Sequence, residues 1–157
     1  MQGPPGHSTA ILLVEDDPPE VRLLQEALQE ALKGVPVPIH LHVVHESCEA
    51  LAFLRHEAPY QRAPRPALIL FSLKLPGMSG LQLLSVLKRD PALQTIPAIV
   101  FTNSMSPQDI QQSYELGANS YIIKPFGFTQ LVEVMHAIVV YWIKVVTQAR
   151  LSTPRKQ

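Results

Sequence analysis

Five short apolar runs alternate with amphipathic stretches along the chain. The first run, Ala10–Val14, ends in acidic residues and is followed by two prolines, Pro18 and Pro19. Behind them, apolar side chains recur at helical spacing: Val21, Leu24, Leu28 and Leu32. Because proline fits the first turn of a helix, this segment predicts a strand, a loop and a helix in that order.

The same alternation continues to the end of the chain. Four further apolar runs predict strands at His40–Val44, Ala67–Phe71, Ala98–Phe101 and Tyr121–Ile123. Helical patterns follow them at Glu46–His56, Leu81–Lys88, Pro107–Leu116 and Phe128–Thr147. Strands that alternate with helices form parallel sheets with right-handed crossovers. The sequence therefore predicts an α/β fold with a doubly wound, five-stranded parallel sheet.

The second strand differs from the others in its pattern. The segment His40–Val44 alternates polar and apolar side chains, whereas Ala67–Phe71 and Ala98–Phe101 are almost wholly apolar. Alternation is typical of a strand with one face less buried. We therefore expect the second strand at an edge of the sheet.

The composition of the 157 residues is that of one folded domain, with 46% hydrophobic and 17% charged residues. This balance is far from the low hydrophobicity and high charge of disordered chains. We expect a single domain over residues 9–148, between a flexible amino-terminal arm at 1–8 and a flexible carboxy-terminal tail at 149–157.

Charge and targeting signals narrow the classes of partner. Thirteen Lys and Arg residues balance thirteen Asp and Glu residues, so no broad basic surface is available for nucleic acid. The single cysteine, Cys48, excludes an intrachain disulfide, and the amino terminus lacks a secretion signal. The longest apolar run, Ala137–Ile143, is too short to span a bilayer. We expect a cytoplasmic protein without nucleic-acid or membrane partners.

Candidate chemistry lies where the predicted strands end. Acidic residues follow the first strand, hydroxyls end the third and fourth, and a lysine-proline pair ends the fifth: Glu15, Asp16, Asp17, Ser72, Thr102, Lys124 and Pro125. The carboxyl ends of parallel strands meet at one edge of the sheet. Clustered acids suit Mg²⁺, and a lysine beside a hydroxyl suits a phosphoryl oxygen. Each residue alone also fits a simpler role, as a helix-start acid, a loop hydroxyl or a surface charge.

The chain resembles the receiver domains of two-component response regulators across about residues 10–146. The resemblance rests on Ile11–Asp17 as the acidic opening strand, Leu73–Gly80 as the loop after the phosphoacceptor, and Lys124-Pro125-Phe126. It implies a flavodoxin-like fold with strand order 2-1-3-4-5. It also implies that Thr102 is the switch hydroxyl and Tyr121 the switch aromatic. The pair Tyr141-Trp142 on the last helix is similar to phytochrome-associated response regulators.

One position departs from the family pattern. Family members carry an aspartate directly before the Leu-Lys-Leu-Pro-Gly segment, and this carboxylate takes the phosphoryl group from a histidine kinase. Here the position is Ser72. A serine hydroxyl is a weak nucleophile that needs a general base, and we expect no histidine near a strand end to serve. With one carboxylate fewer, we expect no required cofactor and only weak Mg²⁺ binding, at Glu15 and Asp16.

The favoured interpretation is a stand-alone pseudo-receiver that is not an enzyme and acts by protein contact. Its partner would be a sensor histidine kinase, a phytochrome-like kinase or a downstream signalling protein, and its informative surface the fourth helix, fifth strand and fifth helix. One alternative is a phosphotransfer protein phosphorylated at Ser72 or Asp17 by a histidine kinase. Another is a flavin-binding or hydrolytic enzyme with Ser72 as nucleophile, although no Gly-x-Ser-x-Gly turn surrounds that serine.

The last predicted helix carries more apolar residues than one core-facing side requires. One apolar stripe would face the sheet, and it consists of Leu131, Val134, Met135, Ile138, Tyr141, Trp142 and Val145. Further apolar side chains lie beyond it: Val132, Val139, Val140 and Val146. Exposed apolar strips on surface helices commonly mark interfaces. We expect a homodimer formed through five candidate residues: Val139, Val140, Tyr141, Trp142 and Val146.

Overall fold

The computed structural model describes residues 8–149. The predicted arm at 1–8 and tail at 149–157 lie outside this range except for Ser8 and Ala149.

Five strands and five helices alternate along the described chain. The strands are β1 (Thr9–Val14), β2 (Ile39–Val44), β3 (Leu68–Phe71), β4 (Ala98–Thr102) and β5 (Ser120–Ile123). The helices are α1 (Pro18–Ala31), α2 (Ser47–Leu54), α3 (Gly80–Arg89), α4 (Pro107–Glu115) and α5 (Phe128–Val139), the last continued by a π-helical segment at Val140–Val145. All strand pairs are parallel, and the sheet order is β2-β1-β3-β4-β5. The predicted fold class and strand order are confirmed.

Two apolar cores lie on opposite faces of the sheet. Alternate strand residues such as Leu12 and Phe71 pack in the core that α2 and α3 cover. Their neighbours, such as Leu13 and Leu70, pack in the core that α1 and α5 cover. A strand buried on both faces needs apolar residues at every position, which explains the continuous runs in β1, β3 and β4.

Strand β2 lies at the edge of the sheet, as its alternating pattern predicted. His40 is exposed, and only Val44 of this strand is fully buried. The strand pairs with β1 alone, in register from Thr9 opposite Ile39 to Val14 opposite Val44. Its apolar side chains Ile39, Leu41 and Val43 are only partly buried against the second core.

The last helix departs from the prediction of one continuous helix over Phe128–Thr147. It is α-helical to Val139 and π-helical over Val140–Val145. Val139 is a core residue, 1% exposed, so it does not belong to an interface. The reason is its spacing, because Val139 lies four residues after Met135 and eight after Leu131, on the stripe that faces the sheet.

The last helix is also the one segment of residues 8–149 that meets the length and composition criteria for a membrane span. Phe128–Val145 is long and apolar enough to cross a membrane by length and composition, with a mean hydropathy of 1.3. This is a weak indication, since core helices of soluble proteins pass the same test. Four apolar side chains of the segment are buried in the core against the sheet: Leu131, Met135, Ile138 and Val139.

Candidate functional site

Ser72 directly follows β3 and is nearly buried, with 7% of its surface exposed. Its hydroxyl donates a hydrogen bond to Oε2 of Glu15, which follows β1 and is 4% exposed. The backbone N–H of Ser72 donates to the carbonyl of Val14 at 3.2 Å, so the β1–β3 ladder fixes both residues. The side chains at the ends of these two neighbouring strands therefore meet, as the sequence predicted for the sheet edge.

Lys124, directly after β5, is the cation of the site. Its Nζ lies 3.3 Å from Oε2 of Glu15 and 3.3 Å from Oε2 of Glu20, and its side chain is 10% exposed. Its backbone N–H donates to the carbonyl of Thr102 at 2.8 Å, which fixes the end of β5 beside β4. One ammonium group thus holds two carboxylates, one from β1 and one from α1.

Sequence reasoning missed Glu20. This residue lies in the first turn of α1, where the positive end of the helix dipole stabilises a carboxylate. Its position directly after Pro18 and Pro19 could have indicated it, since the first turn of α1 begins at the same sheet edge as the acidic loop. The prediction considered only residues that follow strands, and Glu20 does not.

A cavity of about 460 Å³ opens beside these groups. Its lining comes from the loops after β1, β3, β4 and β5 and from the first turns of α1 and α4: Glu15, Asp17, Glu20, Ser72, Leu73, Lys74, Thr102, Asn103, Ser104, Asp109 and Lys124. Asp16 is exposed and does not line it. The four carboxylates outnumber the two lysines, so the cavity is acidic.

The donor set does not fit a tight divalent metal site. Oε2 of Glu15 already accepts from Ser72 and pairs with Lys124. Across residues 8–149, no three His, Cys, Asp or Glu side chains lie together as metal ligands. Within the same range, every buried side-chain nitrogen and oxygen has a hydrogen-bond partner. The buried polar side chains of the site are therefore satisfied by protein partners, and none of them is left as an orphaned ligand for a cation.

The predicted switch residues lie on neighbouring strands. Thr102, the last residue of β4, is buried, and its Oγ1 accepts from the N–H of Ser104 at 3.2 Å. The hydroxyl of Tyr121, in β5, donates to the carbonyl of Ser104 at 2.8 Å. The pKa of the Tyr121 phenol is raised, chiefly because burial disfavours the charged phenolate, and the nearby Asp109 carboxylate adds to the shift. Pro125 follows Lys124 and is partly buried.

One histidine does lie at a strand end, contrary to expectation. His45 follows β2, and its Nδ1 lies 3.1 Å from the backbone carbonyl of Glu15. Since a carbonyl only accepts, this ring nitrogen donates. The edge strand brings His45 to the acidic loop, but its bond goes to the backbone and not to Ser72.

Gly80 allows the site loop to pass close to α3. A Cβ at this position would collide with the carbonyl oxygen of Ser72 and lie 2.8 Å from Cα of Leu73. The N–H of Gly80 donates to the carbonyl of Leu73 at 2.8 Å. Glycine here places Ser72, and the capping box of Ser79 and Gln82 starts α3 at the same point.

Replacing Gly80 with alanine is expected to destabilise the fold by about 2 kcal/mol, because the Cβ must displace backbone and not a flexible side chain. Urea denaturation followed by circular dichroism measures the change. Gly127→Ala is the matched control, since its Cβ would meet only the end of the Gln130 side chain. Equal stability losses in both variants would contradict the tight packing at Gly80.

Comparison with known proteins defines the class of this chain. The model of the response regulator receiver domain family matches residues 11–136, and the sheet order β2-β1-β3-β4-β5 is that of the receiver fold. The chain belongs to the receiver domain family of the response regulators, the proteins of two-component signalling.

Among its relatives is the response regulator Rcp1 of Synechocystis, 36% identical over 137 residues, with 87% of this chain and 90% of that protein covered. The fold is shared with the phosphorylated cyanobacterial phytochrome response regulator RcpA, at a TM-score of 0.83 and 38% identity over 92% of this chain and 100% of that chain. A crystal structure of the Mn²⁺-bound form of Rcp1 matches at a TM-score of 0.80 and 35% identity over 90% and 99%.

Proposed function

We propose that this chain is a pseudo-receiver, a receiver domain that signals by protein contact without aspartate phosphorylation. The proposal is supported by the contacts of Ser72, which stands where the family resemblance places the phosphoacceptor: its hydroxyl is bonded to a buried Glu15 that also pairs with Lys124. An aspartate at this position would be ionised at neutral pH and ready to attack a phosphoryl donor. Serine is neutral there and must lose a proton first.

The neighbours of Ser72 do not favour that proton loss. Among residues 8–149, the one proton acceptor that the Ser72 hydroxyl contacts is Glu15, whose carboxylate is held by the ammonium of Lys124. Proton transfer to Glu15 would break this nearly buried ion pair, and a broken buried pair is costly. The geometry therefore supports a site that is held closed.

The same geometry supports the expectation that no cofactor is required. The relative Rcp1 has a Mn²⁺-bound form. In the present chain Asp16 lies outside the cavity and Glu15 is occupied by Lys124, so we propose that Mg²⁺ binds only weakly. No enzymatic activity of its own follows from this site.

A second candidate is a phosphotransfer protein that accepts the phosphoryl group on Ser72 or Asp17. Its support is that both side chains line the acidic cavity together with Lys124. Intact-mass spectrometry after incubation with acetyl phosphate and Mg²⁺ separates the two functions, because only the phosphotransfer protein would gain a phosphoryl group.

The partners that we propose are a sensor histidine kinase, including a phytochrome-like kinase, or a downstream signalling protein in the cytoplasm. RcpA, which shares the fold, is a phytochrome response regulator. The contact surface would be α4, β5 and α5, where exposed apolar side chains include Ile123 and Phe126. We propose no nucleic-acid or membrane partner.

We also propose that the chain forms a homodimer through the end of its last helix. Of Phe128–Val145, only 22% is buried, and Tyr141 and Val145 are 54% and 64% exposed. Val140, Trp142 and Val146 are partly buried beside them, whereas Val139 lies in the core. A second copy of the same helix would bury this apolar strip.

The double variant Tyr141→Asp/Val145→Asp is expected to weaken the dimer about ten-fold or more, because each change places a charge in a buried apolar contact. Light scattering over a concentration series measures the effect. Thr147→Asp, at an exposed polar position nearby, is the control and leaves the dimer intact. A wild-type chain that stays monomeric at high micromolar concentration would rule out the dimer.

A further inference from the structure

Ser104, in the loop between β4 and α4, is the centre of a hydrogen-bonded cluster. Its hydroxyl donates to Oδ2 of Asp109 at 2.6 Å and accepts from the N–H of Ser106 at 3.3 Å. Its N–H donates to Oγ1 of Thr102, and its carbonyl accepts from the hydroxyl of Tyr121. The side chain and both backbone polar groups of one residue therefore join β4, β5 and α4.

The carboxylate of Asp109 is the anchor of this cluster. Asp109 lies in the first turn of α4, where the Ser106 hydroxyl accepts from its N–H at 3.4 Å. Its carbonyl accepts from the hydroxyl of the fully buried Ser113 at 2.7 Å. Hydrogen bonds to a charged acceptor are stronger than neutral ones, so the Ser104–Asp109 bond is the strongest link in the loop.

Both switch side chains depend on this anchored residue. For Thr102 to turn its hydroxyl toward the acidic cavity, it must release the Ser104 N–H. For Tyr121 to leave its present place, it must release the Ser104 carbonyl. Ser104 cannot follow either side chain without breaking its bond to Asp109.

We propose that Ser104 and Asp109 are positioning residues that hold Thr102 and Tyr121 in one arrangement, independent of the charge at residue 72. The inference rests on the proposed function and on the roles of switch hydroxyl and switch aromatic that the family resemblance implies for Thr102 and Tyr121. In the absence of a phosphoryl group, Ser104 and Asp109 would set the state of the contact surface.

The test is hydrogen exchange and ring NMR of the full chain, without phosphoryl donor. In Ser104→Ala, the Ser106 amide loses its acceptor and the loop loses its anchor. We expect the amides of Ser104 and Ser106 to exchange about ten-fold faster or more, and the Tyr121 ring signals to shift. Ser72→Asp and Ser72→Ala are expected to leave both readouts unchanged.

Two further variants keep the result interpretable. Asp109→Asn keeps the size of the side chain but removes its charge, and we expect a smaller acceleration than in Ser104→Ala. Gln111→Ala removes only an exposed bond to Glu115 within α4 and is expected to change neither amide. Faster exchange of the buried β3 amides in Ser104→Ala would mean that this variant destabilises the whole fold. The proposal is then judged on Asp109→Asn alone.

The proposal is overturned if the loop amides and the Tyr121 ring respond to Ser72→Asp as strongly as to Ser104→Ala. It is also overturned if neither Ser104→Ala nor Asp109→Asn changes them. Neither result bears on whether residue 72 takes a phosphoryl group, which is measured separately by intact mass. Failure of this inference and failure of the pseudo-receiver function are therefore distinguishable.

Discussion

After incubation with acetyl phosphate and Mg²⁺, the unmodified chain is expected to keep its mass, whereas Ser72→Asp gains one phosphoryl group. The substitution supplies the ionised carboxylate that attacks phosphorus, and it adds a second anionic oxygen ligand beside Glu15 for the metal. Lys124 and Thr102 already line the same cavity as residue 72. Intact-mass spectrometry directly after incubation measures the occupancy.

Two controls assign the acceptor. Ser72→Ala keeps the packing of the site but removes the hydroxyl, and it is expected to remain unlabelled. Hydroxylamine is expected to remove the label from Ser72→Asp, because an acyl phosphate is labile where a phosphate ester of serine is not.

Labelling of the unmodified chain would overturn the pseudo-receiver. If Ser72→Ala then abolished the label, Ser72 would be the acceptor and Glu15 its base. If the label persisted in Ser72→Ala, Asp17 would be the next residue to replace, since it lines the same cavity. A Ser72→Asp variant that stays unlabelled would show that the closed site has lost more than its acceptor.

The fold could be predicted almost entirely from the periodicity of apolar residues. Strands β1, β3 and β4 are buried on both faces, and such strands have no alternative to continuous apolar runs. Strand β2 has one neighbour and alternates, which placed it at the edge. The strand order was predicted from the family resemblance and not from the apolar pattern. Periodicity indicates which faces of a strand are buried, but it does not indicate which strands pair.

The last helix shows where this reasoning fails. Apolar residues occur on several sides of it, and spacing alone does not say which stripe faces the sheet. Val139 belongs to the buried stripe with Leu131 and Met135, while Tyr141 and Val145 lie outside it. The change to π-helical geometry after Val139 alters the angular step of the residues beyond it, so a period of 3.6 no longer applies there.

The polar site was only half predictable for a different reason. Residues that follow strands could be placed together, because parallel strands end at one edge. Glu20, His45 and Asp109 come from helix starts and an edge loop, where no periodicity marks them. Which polar side chains pair is decided by tertiary distances of a few ångströms, and these do not appear in the sequence.

Charge balance explains why Lys124 has a structural role here as well as its place in the family motif. With serine at position 72 the site has one carboxylate fewer than the family pattern, and Lys124 pairs with Glu15 and Glu20. Glu15 is buried, so its charge depends on this ammonium for compensation. The lysine thus stabilises the fold directly.

Replacing Lys124 with methionine is therefore expected to destabilise the protein by about 3 kcal/mol, because removing one partner leaves a buried carboxylate unpaired. The matched control is Lys33→Met, which breaks an exposed pair with Glu30 at 2.8 Å and is expected to cost about 0.5 kcal/mol or less. Thermal and urea unfolding of the three proteins measure the difference.

Magnesium gives the same variant a second, independent readout. Without the ammonium, Glu15 and Glu20 are free to bind a divalent cation, so Mg²⁺ is expected to raise the Tm of Lys124→Met but not that of the unmodified chain. Lys33→Met, whose site is intact, is expected to stay insensitive. If Mg²⁺ raised the Tm of the unmodified chain as much as that of Lys124→Met, Lys124 would not compete with the metal. The closed, metal-independent site would then have to be abandoned, because Glu15 would be available to a cation with its lysine still in place.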